Sequence, residues 1–545
     1  MITIYRARTI LTMNPARPRA THVAVREGIV LGAGELDELA GWGEHTVDER
    51  FADAVLMPGL VEGHCHAMEG ALWRYAYCGY FDRTGPDGTV HAGVRSVEAL
   101  LERLREAEAA LPDDGSALSG WSLDPIYFDG AKIPRETLDA VSTTRPIGLM
   151  HASGHIMNVN TKALKVAGLL RTGIEHPGLP LGEDGLPTGE LKGPDVMVPV
   201  GEHVGFGEAV LHADEAGLRD FARLCVRAGV TTATDLAAQL PDEAVDMMLR
   251  VTAEHDFPVR VVPMRSHVGI APAALLDRAE ALAGRSTERL RFVGIKVHAD
   301  GSIQGFSARL RPPGYYNGAP QGLWYVPPEH LAEILEGALA RNLLVHVHTN
   351  GDQATDLVLD TLEAALVRVP ARDHRMTFQH CQLADAAQFR RIAALGACVN
   401  LFANHHFYWG EEHYRLTVGP ERATRMNACR TALDSGVPMA MHSDAPITPL
   451  APLFTAWCAV NRRTASGRTL GEHERITVAE ALSAITLGAA RTLKLDGEIG
   501  SIECGKRADF AVLDEDPEAV GAEGLKDVGV LGTVQGGRVF VAVGR

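Results

Sequence analysis

The feature that most constrains the fold is an alternation, along the middle of the chain, of short apolar β-branched runs with stretches of helical periodicity. The intervening stretches, such as "PPEHLAEILEGALA", carry apolar residues three and four positions apart, which is typical of a helix buried on one side. Continuous apolar strands that alternate with helices predict a parallel sheet covered on both faces. The runs are residues 59–66, 229–236, 258–264, 292–301, 342–348, 375–382, 396–402 and 436–446.

Eight such units predict an α/β protein built on a (β/α)8 TIM-like barrel. Periodicity does not establish that the sheet closes, so an open doubly wound sheet is the alternative. Roughly 160 residues separate the first run from the second. They include the amphipathic "SVEALLERLREAEAAL" and a Gly/Pro-rich segment at 176–195. A long insertion after one barrel strand predicts a lid or substrate region.

The two ends of the chain differ from the middle. Each end carries short strands separated by glycine turns, such as "HVAVREGIVLGAG" near the start and "GTVQGGRVFVAVG" near the end. We therefore expect both termini to pack together as one small β-sandwich domain. The predicted domains are 1–57 plus 490–545 for the β-sandwich and 58–489 for the barrel, with an insertion at about 70–225.

Charge and composition exclude some classes of function. The net charge of −17 over 545 residues argues against a nucleic-acid partner, which would need a basic surface. The chain has neither an 18-residue apolar run nor a signal-peptide pattern, so we expect no membrane association. Eight scattered cysteines without a C-x-x-C pair indicate reduced thiols and a cytoplasmic protein. We expect a small-molecule substrate, and a homodimer is left open.

Polar residues stand at the ends of several predicted strands. His64 and His66 are two positions apart, so on a strand they face the same side while Cys65 turns away. A single histidine at a strand end is usually a cap or a satisfied polar residue, and a single lysine is usually an ion-pair partner. Their coincidence at successive ends, where barrel enzymes carry their catalytic residues, predicts a metal site. The residues are His64, His66, Lys296, His298, Asp300, His346, His348, His380 and Asp444.

Imidazole and carboxylate ligands suit Zn²⁺, with Mn²⁺ or Fe²⁺ as alternatives. A bound metal lowers the pKa of water from 15.7 to roughly 7, and a nearby carboxylate can transfer its proton, which favours hydrolysis. Lys296 is unexpected in such a site, because an ammonium repels a metal. It fits if CO2 converts it to a carbamate anion.

These segments resemble the amidohydrolase superfamily, and specifically its YtcJ-like branch, which includes N-substituted formamide deformylases. "MPGLVEGHCH" resembles the strand-one motif of the superfamily, and "GIKVHADGSIQG" resembles a strand-four segment of the branch. Further similar segments are "VHVHTNGDQA", "FQHCQ", "HSDAP", "GWSLDPIYF", "SGHIMNVNTKAL", "DGLPTGEL" and "GEIGSIECGKRADFAVLDEDP". The resemblance extends over nearly the whole chain.

The resemblance implies a role for each strand-end residue. His64, His66 and Asp444 would hold the more buried metal ion, with Asp444 also acting as general acid and base. His348, rather than His346, and His380 would hold a second ion, and Lys296 as carbamate would bridge both. Related enzymes use one or two ions, so the count is open. The chain departs from the pattern at Gln379, where the branch usually has Glu, and we expect this to alter the surroundings of His380.

Five residues are candidates for substrate contact. His155 resembles a branch position that faces the site from the insertion, although a structural polar role is the alternative. Trp121 and Phe128 would line an apolar pocket or pack the insertion. His405 and His406 lie in the aromatic segment after the seventh run.

The sequence predicts a metal-dependent amidohydrolase that cleaves a non-peptide C–N bond of a linear amide, an N-acyl or N-formyl amine. A cyclic amide hydrolase or an aromatic deaminase on the same scaffold is the alternative within enzymes, since fold alone does not separate them. If the protein is not an enzyme, the alternative is a non-catalytic binding module. The complete ligand set argues against that module.

Overall fold

The computed structural model describes residues 1–128, 131–207, 210 and 213–542. The strands in chain order are β1 (Ile2–Leu11), β2 (Arg19–Arg26), β3 (Ile29–Gly34), β4 (His45–Pro58), β5 (Leu60–Glu62), β6 (Ala76–Tyr77), β7 (Arg83–Thr84), β8 (Val90–His91), β9 (Leu118–Leu123), β10 (Ile147–His151), β11 (Ile156–Val159), β12 (Glu190–Lys192), β13 (Val230–Ala238), β14 (Arg260–Ser266), β15 (Gly294–His298), β16 (Leu344–Thr349), β17 (Thr377–His380), β18 (Cys398–Leu401), β19 (Met439–Met441), β20 (Phe510–Leu513), β21 (Val530–Gln535) and β22 (Arg538–Val541).

The α-helices lie mainly between these strands. They span Leu36–Ala40, Met68–Leu72, Val97–Ala110, Arg135–Asp139, Thr161–Val166, Pro194–Gly201, Glu215–Arg227, Asp242–Ala253, Pro272–Ala283, Pro328–Ala340, Asp352–Arg368, Ala386–Ala394, His405–Glu412, Gly419–Arg425, Cys429–Asp434, Pro452–Asn461, Val478–Ala484, Leu487–Thr492 and Gly521–Gly524. Within the described residues, no helix combines the length and the apolarity needed to cross a membrane.

The central sheet is parallel and runs β5, then β13 through β19, with each strand paired to the next along the chain. Hydrogen bonds just beyond β5 and β19 close it. The Asp444 N–H donates to the His64 carbonyl at 3.0 Å, and the His66 N–H donates to the Ala445 carbonyl at 2.8 Å. The predicted (β/α)8 barrel is confirmed, and closure excludes the open sheet.

Helices cover the outside of the barrel where the periodicity predicts them. Helix Pro328–Ala340 buries Leu331, Ile334, Leu335 and Ala338, which are the three- and four-spaced positions of its sequence. The strands are buried on both faces, as in β14, where six of seven residues are buried. This two-sided burial explains why the strands read as continuous apolar runs rather than alternating ones.

The two ends of the chain meet in one seven-stranded sheet of order β22-β21-β20-β4-β1-β2-β3. The predicted hairpin near the start is β2 and β3, and it turns at Glu27 and Gly28, whose φ angles of 53° and 75° are left-handed. A two-residue turn with positive φ matches the twist of the flanking strands. The sheet joins residues from both ends as expected, and the domain boundaries stay a prediction.

The insertion carries its own five-stranded sheet, in the order β12-β11-β10-β9-β6. Its amphipathic helix begins after Ser96, whose side chain accepts a hydrogen bond from the Ala99 N–H at 3.2 Å. A buried apolar cluster on this sheet includes Met150, Met157, Met197 and Phe206. The insertion therefore has a core of its own beside the barrel.

Candidate metal centre

His64, His66 and Asp444 meet where the barrel closes. The Nε2 atoms of His64 and His66 each lie 3.3 Å from Oδ1 of Asp444. His64 and His66 follow β5, and Asp444 follows β19, so the hydrogen bonds that close the sheet also bring the three side chains together. Ligand atoms of all three lie within 4.8 Å of one another, a spacing that suits a single metal ion.

Hydrogen bonds determine which ring nitrogen of each histidine faces this centre. Nδ1 of His66 donates to the carbonyl of Leu236, which leaves Nε2 with its lone pair. Nδ1 of His64 donates to Oε1 of Gln379 at 2.7 Å, so Nε2 again carries the lone pair. A partner on the far nitrogen is the usual way in which proteins orient a metal-binding histidine.

The amide of Gln379 is fixed in turn by a third histidine. Nε2 of Gln379 donates to Nδ1 of His346 at 2.8 Å, and Nε2 of His346 donates to the carbonyl of Thr492 at 3.0 Å. Since a carbonyl only accepts, the proton positions along this chain are all determined. Our expectation that Gln379 acts on the surroundings of His380 is wrong, because its side chain bonds His64 and His346 instead.

The other three predicted ligands lie beside this group. Nζ of Lys296 is 3.4 Å from Nε2 of His64, and Nδ1 of His380 is 3.8 Å from Oδ2 of Asp444. The ring of His348 packs against that of His380 with centroids 4.4 Å apart. The structure thus brings all six predicted ligands together at the carboxyl ends of the barrel strands.

The backbone is strained at two of these residues. His380 has a φ of 70° and Asp444 has a φ of 56°, both in the left-handed region. Each such conformation costs about 1–3 kcal/mol in a residue with a side chain, and such residues cluster at functional sites. The strain therefore supports a role for both residues beyond packing.

Burial governs the electrostatics of the centre. It raises the pKa of Asp444, although the neighbouring His66 and the charge of Lys296 oppose the shift. It lowers the pKa of Lys296 to about 7, against the attraction of Asp444. Burial also lowers the imidazole pKa values well below their usual range, which favours the neutral rings that bind metals. The affected residues are His64, His348, His380 and His442.

The residues fit a divalent metal ion. Both ring nitrogens of His380 and of His442 are buried and lack a hydrogen-bond partner within the described residues. Buried polar atoms are rarely left in this state, and a bound ion is one way to satisfy them. Together with a carboxylate and neutral imidazoles, they form the donor set that Zn²⁺ and similar metals prefer. His64, His66, Asp444, Lys296, His348 and His380 would hold the ion or ions.

Sequence reasoning missed three residues at this centre. His442 stacks on His64 with centroids 4.7 Å apart and shares a potential metal-binding group with His64 and His380. Asp235 ends the second run and lines the cavity, and burial raises its pKa to about 6. Glu62 accepts hydrogen bonds from the N–H and hydroxyl of Ser443. The two-residue spacing that paired His64 with His66 also pairs His442 with Asp444 and Glu62 with His64, and would have found two of them.

A cavity of about 230 Å³ opens on the centre. His64, His66, His348, His380 and Asp444 line its barrel side. His155 reaches it from the insertion, with its ring centroid 5.4 Å from that of His348. The structure therefore puts His155 where the sequence expected it, beside the predicted ligands.

The other four candidate contacts do not reach this cavity. Trp121 is buried in the insertion against Trp73, and Phe128 lies 6.2 Å from Tyr80 between ring centroids. The ring of His405 stacks on that of His413, and His406 accepts a hydrogen bond from Arg462. Both side chains therefore face the packed interior rather than the cavity. A helix directs only part of its surface to any one neighbour, and here the histidines face the buried side. Substrate contact by these four stays a prediction that their placement does not favour.

The comparison with known proteins gives one family over most of the chain. A family model described as "Amidohydrolase family" matches residues 52–541. The chain is 27% identical to the putative amidohydrolase YtcJ of Bacillus subtilis, over 99% of both chains. It is 26% identical to the N-substituted formamide deformylase of Arthrobacter pascens, covering 88% of this chain and 86% of that protein.

A solved structure agrees with the fold. The crystal structure of an uncharacterized metal-dependent hydrolase from Pyrococcus horikoshii superposes with a TM-score of 0.72 at 22% identity. The match covers 96% of this chain and 99% of that one. The barrel, the terminal sheet and the insertion therefore belong to an architecture already seen by experiment.

Proposed function

The chain belongs to the amidohydrolase family and is a hydrolase, and from that premise we propose that it cleaves the C–N bond of a linear amide, an N-acyl or N-formyl amine, with a divalent metal ion. The observation that carries the proposal is the convergence of His64, His66 and Asp444 on the wall of one cavity. The similarity to an N-substituted formamide deformylase favours a linear amide among the substrates of the family.

The six ligand candidates would hold one or two ions, with zinc as the first choice and manganese or iron as alternatives. A metal held there supplies Lewis acidity and lowers the pKa of water to about 7. Neutral, buried imidazoles such as His64 and His380 suit this task, because they offer lone pairs without having to lose a proton first.

Asp444 is the residue we assign to proton transfer. Its carboxylate stands on the cavity wall within 3.3 Å of two imidazole nitrogens. It would accept a proton from the attacking water and donate it to the nitrogen that leaves as the C–N bond breaks. His155, whose pKa burial lowers to about 4, is neutral and has a ring N–H to offer to the carbonyl oxygen of the amide.

Lys296 would join the centre as a carbamate. The side chain is fully buried, and its lowered pKa of about 7 leaves a share of neutral amine near neutral pH. The amine adds to CO2, forming an N–C bond and releasing one proton, and the product is an anion that suits a metal. Carbon-13 NMR of enzyme loaded with labelled bicarbonate should give a carbamate signal that Lys296→Ala lacks. Electron density for an unmodified lysine in a metal-replete crystal would refute this assignment.

The test of the function is a substrate screen on enzyme stripped with a chelator and reloaded with Zn²⁺, Mn²⁺ or Fe²⁺. N-acyl amines, lactams and aminopyrimidines separate a linear amidase from a cyclic amide hydrolase and from an aromatic deaminase. We expect turnover of the linear amides only, and only with metal. A protein that binds no transition metal and turns over none of the three classes would support a non-catalytic module instead.

Several expectations from the sequence stay predictions. These are a cytoplasmic location, a homodimer and the absence of a nucleic-acid partner. The count of metal ions is also a prediction, and metal analysis of the reloaded enzyme measures it.

A further inference from the structure

The cavity has two walls of different chemistry. The barrel supplies imidazoles and carboxylates, and the insertion supplies a methionine wall, defined here as Met68, Met150, Met157, Met197 and Phe206. All five residues belong to or pack against one buried cluster of the insertion. The apolar wall is thus the face of a packed core, not a set of separate side chains.

Packing keeps this wall in place. Met150, Met157, Met197 and Phe206 are between 1% and 7% exposed, so most of each side chain packs on the cluster behind it. Methionine side chains are flexible and polarizable, and they adapt to aromatic and branched apolar groups of different shape. The wall is therefore suited to an apolar substituent rather than to a hydrogen-bonding one.

The described lining offers no charged partner to a substrate carboxylate at the methionine wall. Asp235 is an acidic residue of the lining, whereas the charge of Asp444 would be offset by the metal ion that it binds. Among the described residues, no lysine or arginine side chain is part of the lining to compensate. Burying an unpaired carboxylate against apolar groups is also unfavourable in itself.

We propose that the substrate is an uncharged amide whose aromatic or branched apolar substituent packs on the methionine wall, and that the same amide bearing a carboxylate there is discriminated against. The inference rests on the proposed amidase function and narrows it. It predicts that the enzyme hydrolyses N-acylated neutral amines and discriminates against N-acylated amino acids.

The first experiment compares two amides that differ by one carboxylate, N-formyl-2-phenylethylamine and N-formylphenylalanine, on metal-loaded enzyme. We expect kcat/KM to be at least about tenfold higher for the uncharged amide. Equal or better turnover of N-formylphenylalanine would overturn the inference and leave the amidase function standing.

A direct binding measurement separates failure of the inference from failure of the function. Calorimetric titration of both amides into full-length Asp444→Asn enzyme does not depend on turnover. Tighter binding of the uncharged amide supports the methionine wall even if the wild-type enzyme hydrolyses neither amide, a result that would contradict only the proposed function. Tighter binding of the carboxylate would contradict the inference.

A variant pair tests whether the wall is responsible. Val198 lines the cavity on helix Pro194–Gly201 and is 48% exposed, so a lysine there carries little folding cost. Val198→Lys should shift the kcat/KM ratio toward N-formylphenylalanine by about five- to tenfold, through the new opposite charge. Val166→Lys is the matched control, since Val166 is also a valine at the surface of an insertion helix, 48% exposed, but is not part of the lining. A ratio that is unchanged in Val198→Lys, or equally shifted in both variants, would overturn the inference.

Discussion

At the scale of single residues, the amide of Gln379 controls which nitrogen of His64 faces the metal centre. Gln379→Leu keeps most of the side-chain volume but removes both hydrogen bonds, to His64 and to His346. We expect metal affinity to fall by about 10- to 100-fold, because the ring loses the partner that orients it. Competition with a chromogenic chelator measures this.

The control for Gln379 is Gln535→Leu. Gln535 is also buried but belongs to β21 in the terminal sheet, remote from the centre. Gln535→Leu should leave metal affinity unchanged. Equal affinity in Gln379→Leu and wild type would contradict the orienting role.

Asp444 is the single residue to which we assign proton transfer. Asp444→Asn keeps the shape of the side chain and removes its capacity to carry a proton. We expect kcat to fall by about 100- to 10,000-fold while most of the bound metal is retained. Asp352→Asn, another buried carboxyl that caps the backbone N–H of Arg311, should leave kcat near the wild-type value. Retained turnover in Asp444→Asn, measured beside metal content, would remove its acid–base role.

At the scale of elements, Arg83 ties the insertion to the loop that follows Asp444. Its guanidinium donates to the carbonyls of Pro446 and Thr448 and pairs with Glu69 at 2.6 Å. Arg83→Ala should lose about 3–5 kcal/mol of stability by leaving a buried charge unpaired. It should also lower kcat/KM by about tenfold or more, because the loop after Asp444 is no longer held.

A second buried ion pair provides the control for Arg83. Arg260 pairs with Asp509 at 2.8 Å, is equally buried, and lies at the amino end of β14, away from the centre. Arg260→Ala should destabilise the protein to a similar degree, as measured by thermal denaturation, and leave kcat/KM of the folded enzyme unchanged. The same loss of activity in both variants would show that Arg83 acts through stability alone.

Asp124 joins the insertion to helix His405–Glu412 by accepting a hydrogen bond from the indole of Trp409 at 2.8 Å. Burial raises the pKa of Asp124 to about 7, whereas in the unfolded chain the value is about 3.9. The folded state therefore favours the protonated carboxyl. Its contribution to stability is complete below about pH 4 and is lost as the pH rises to about 7.

The corresponding variant is Asp124→Asn, which does not titrate. The stability of wild type relative to Asp124→Asn should fall between pH 4 and pH 7, by up to about 4 kcal/mol. Thermal midpoints across this pH range measure it. Asp113→Asn, at an exposed position, is the matched control for replacing a carboxyl group with an amide. A flat difference for Asp124→Asn would contradict the raised pKa.

At the scale of the whole molecule, the ligand candidates connect strands that are distant in sequence. They come from the ends of β5, β15, β16, β17 and β19, so an ion bound to the folded barrel is absent from the unfolded chain. Such binding adds about 2.7 kcal/mol of stability at a free metal concentration of 100 times Kd. The thermal midpoint should therefore rise steadily with Zn²⁺ and fall on chelation. Mg²⁺, which prefers oxygen ligands, should have little effect, and a midpoint insensitive to Zn²⁺ would contradict the site.

Local sequence predicted the helices and turns well, because the patterns that specify them lie within a few neighbouring residues. The spacing of apolar residues located helix Pro328–Ala340, and the Glu27–Gly28 pair located the hairpin of β2 and β3. Local sequence did not place His405 and His406 relative to the cavity, since a histidine-rich helix has the same sequence pattern whether its polar face meets a cavity or a buried neighbour. Only the packing of that helix against Arg462 and His413 separates the two cases.

The sequence by itself determined that eight parallel strands alternate with helices and that histidines, a lysine and an aspartate stand at their ends, because the period of side chains along a strand or helix depends only on neighbouring residues. Tertiary structure alone decided that the sheet closes between His64 and Asp444, that Gln379 serves His64, and that the cavity meets a methionine wall. These features are contacts between residues distant along the chain. They depend on which buried faces pack together, and no local pattern encodes that choice.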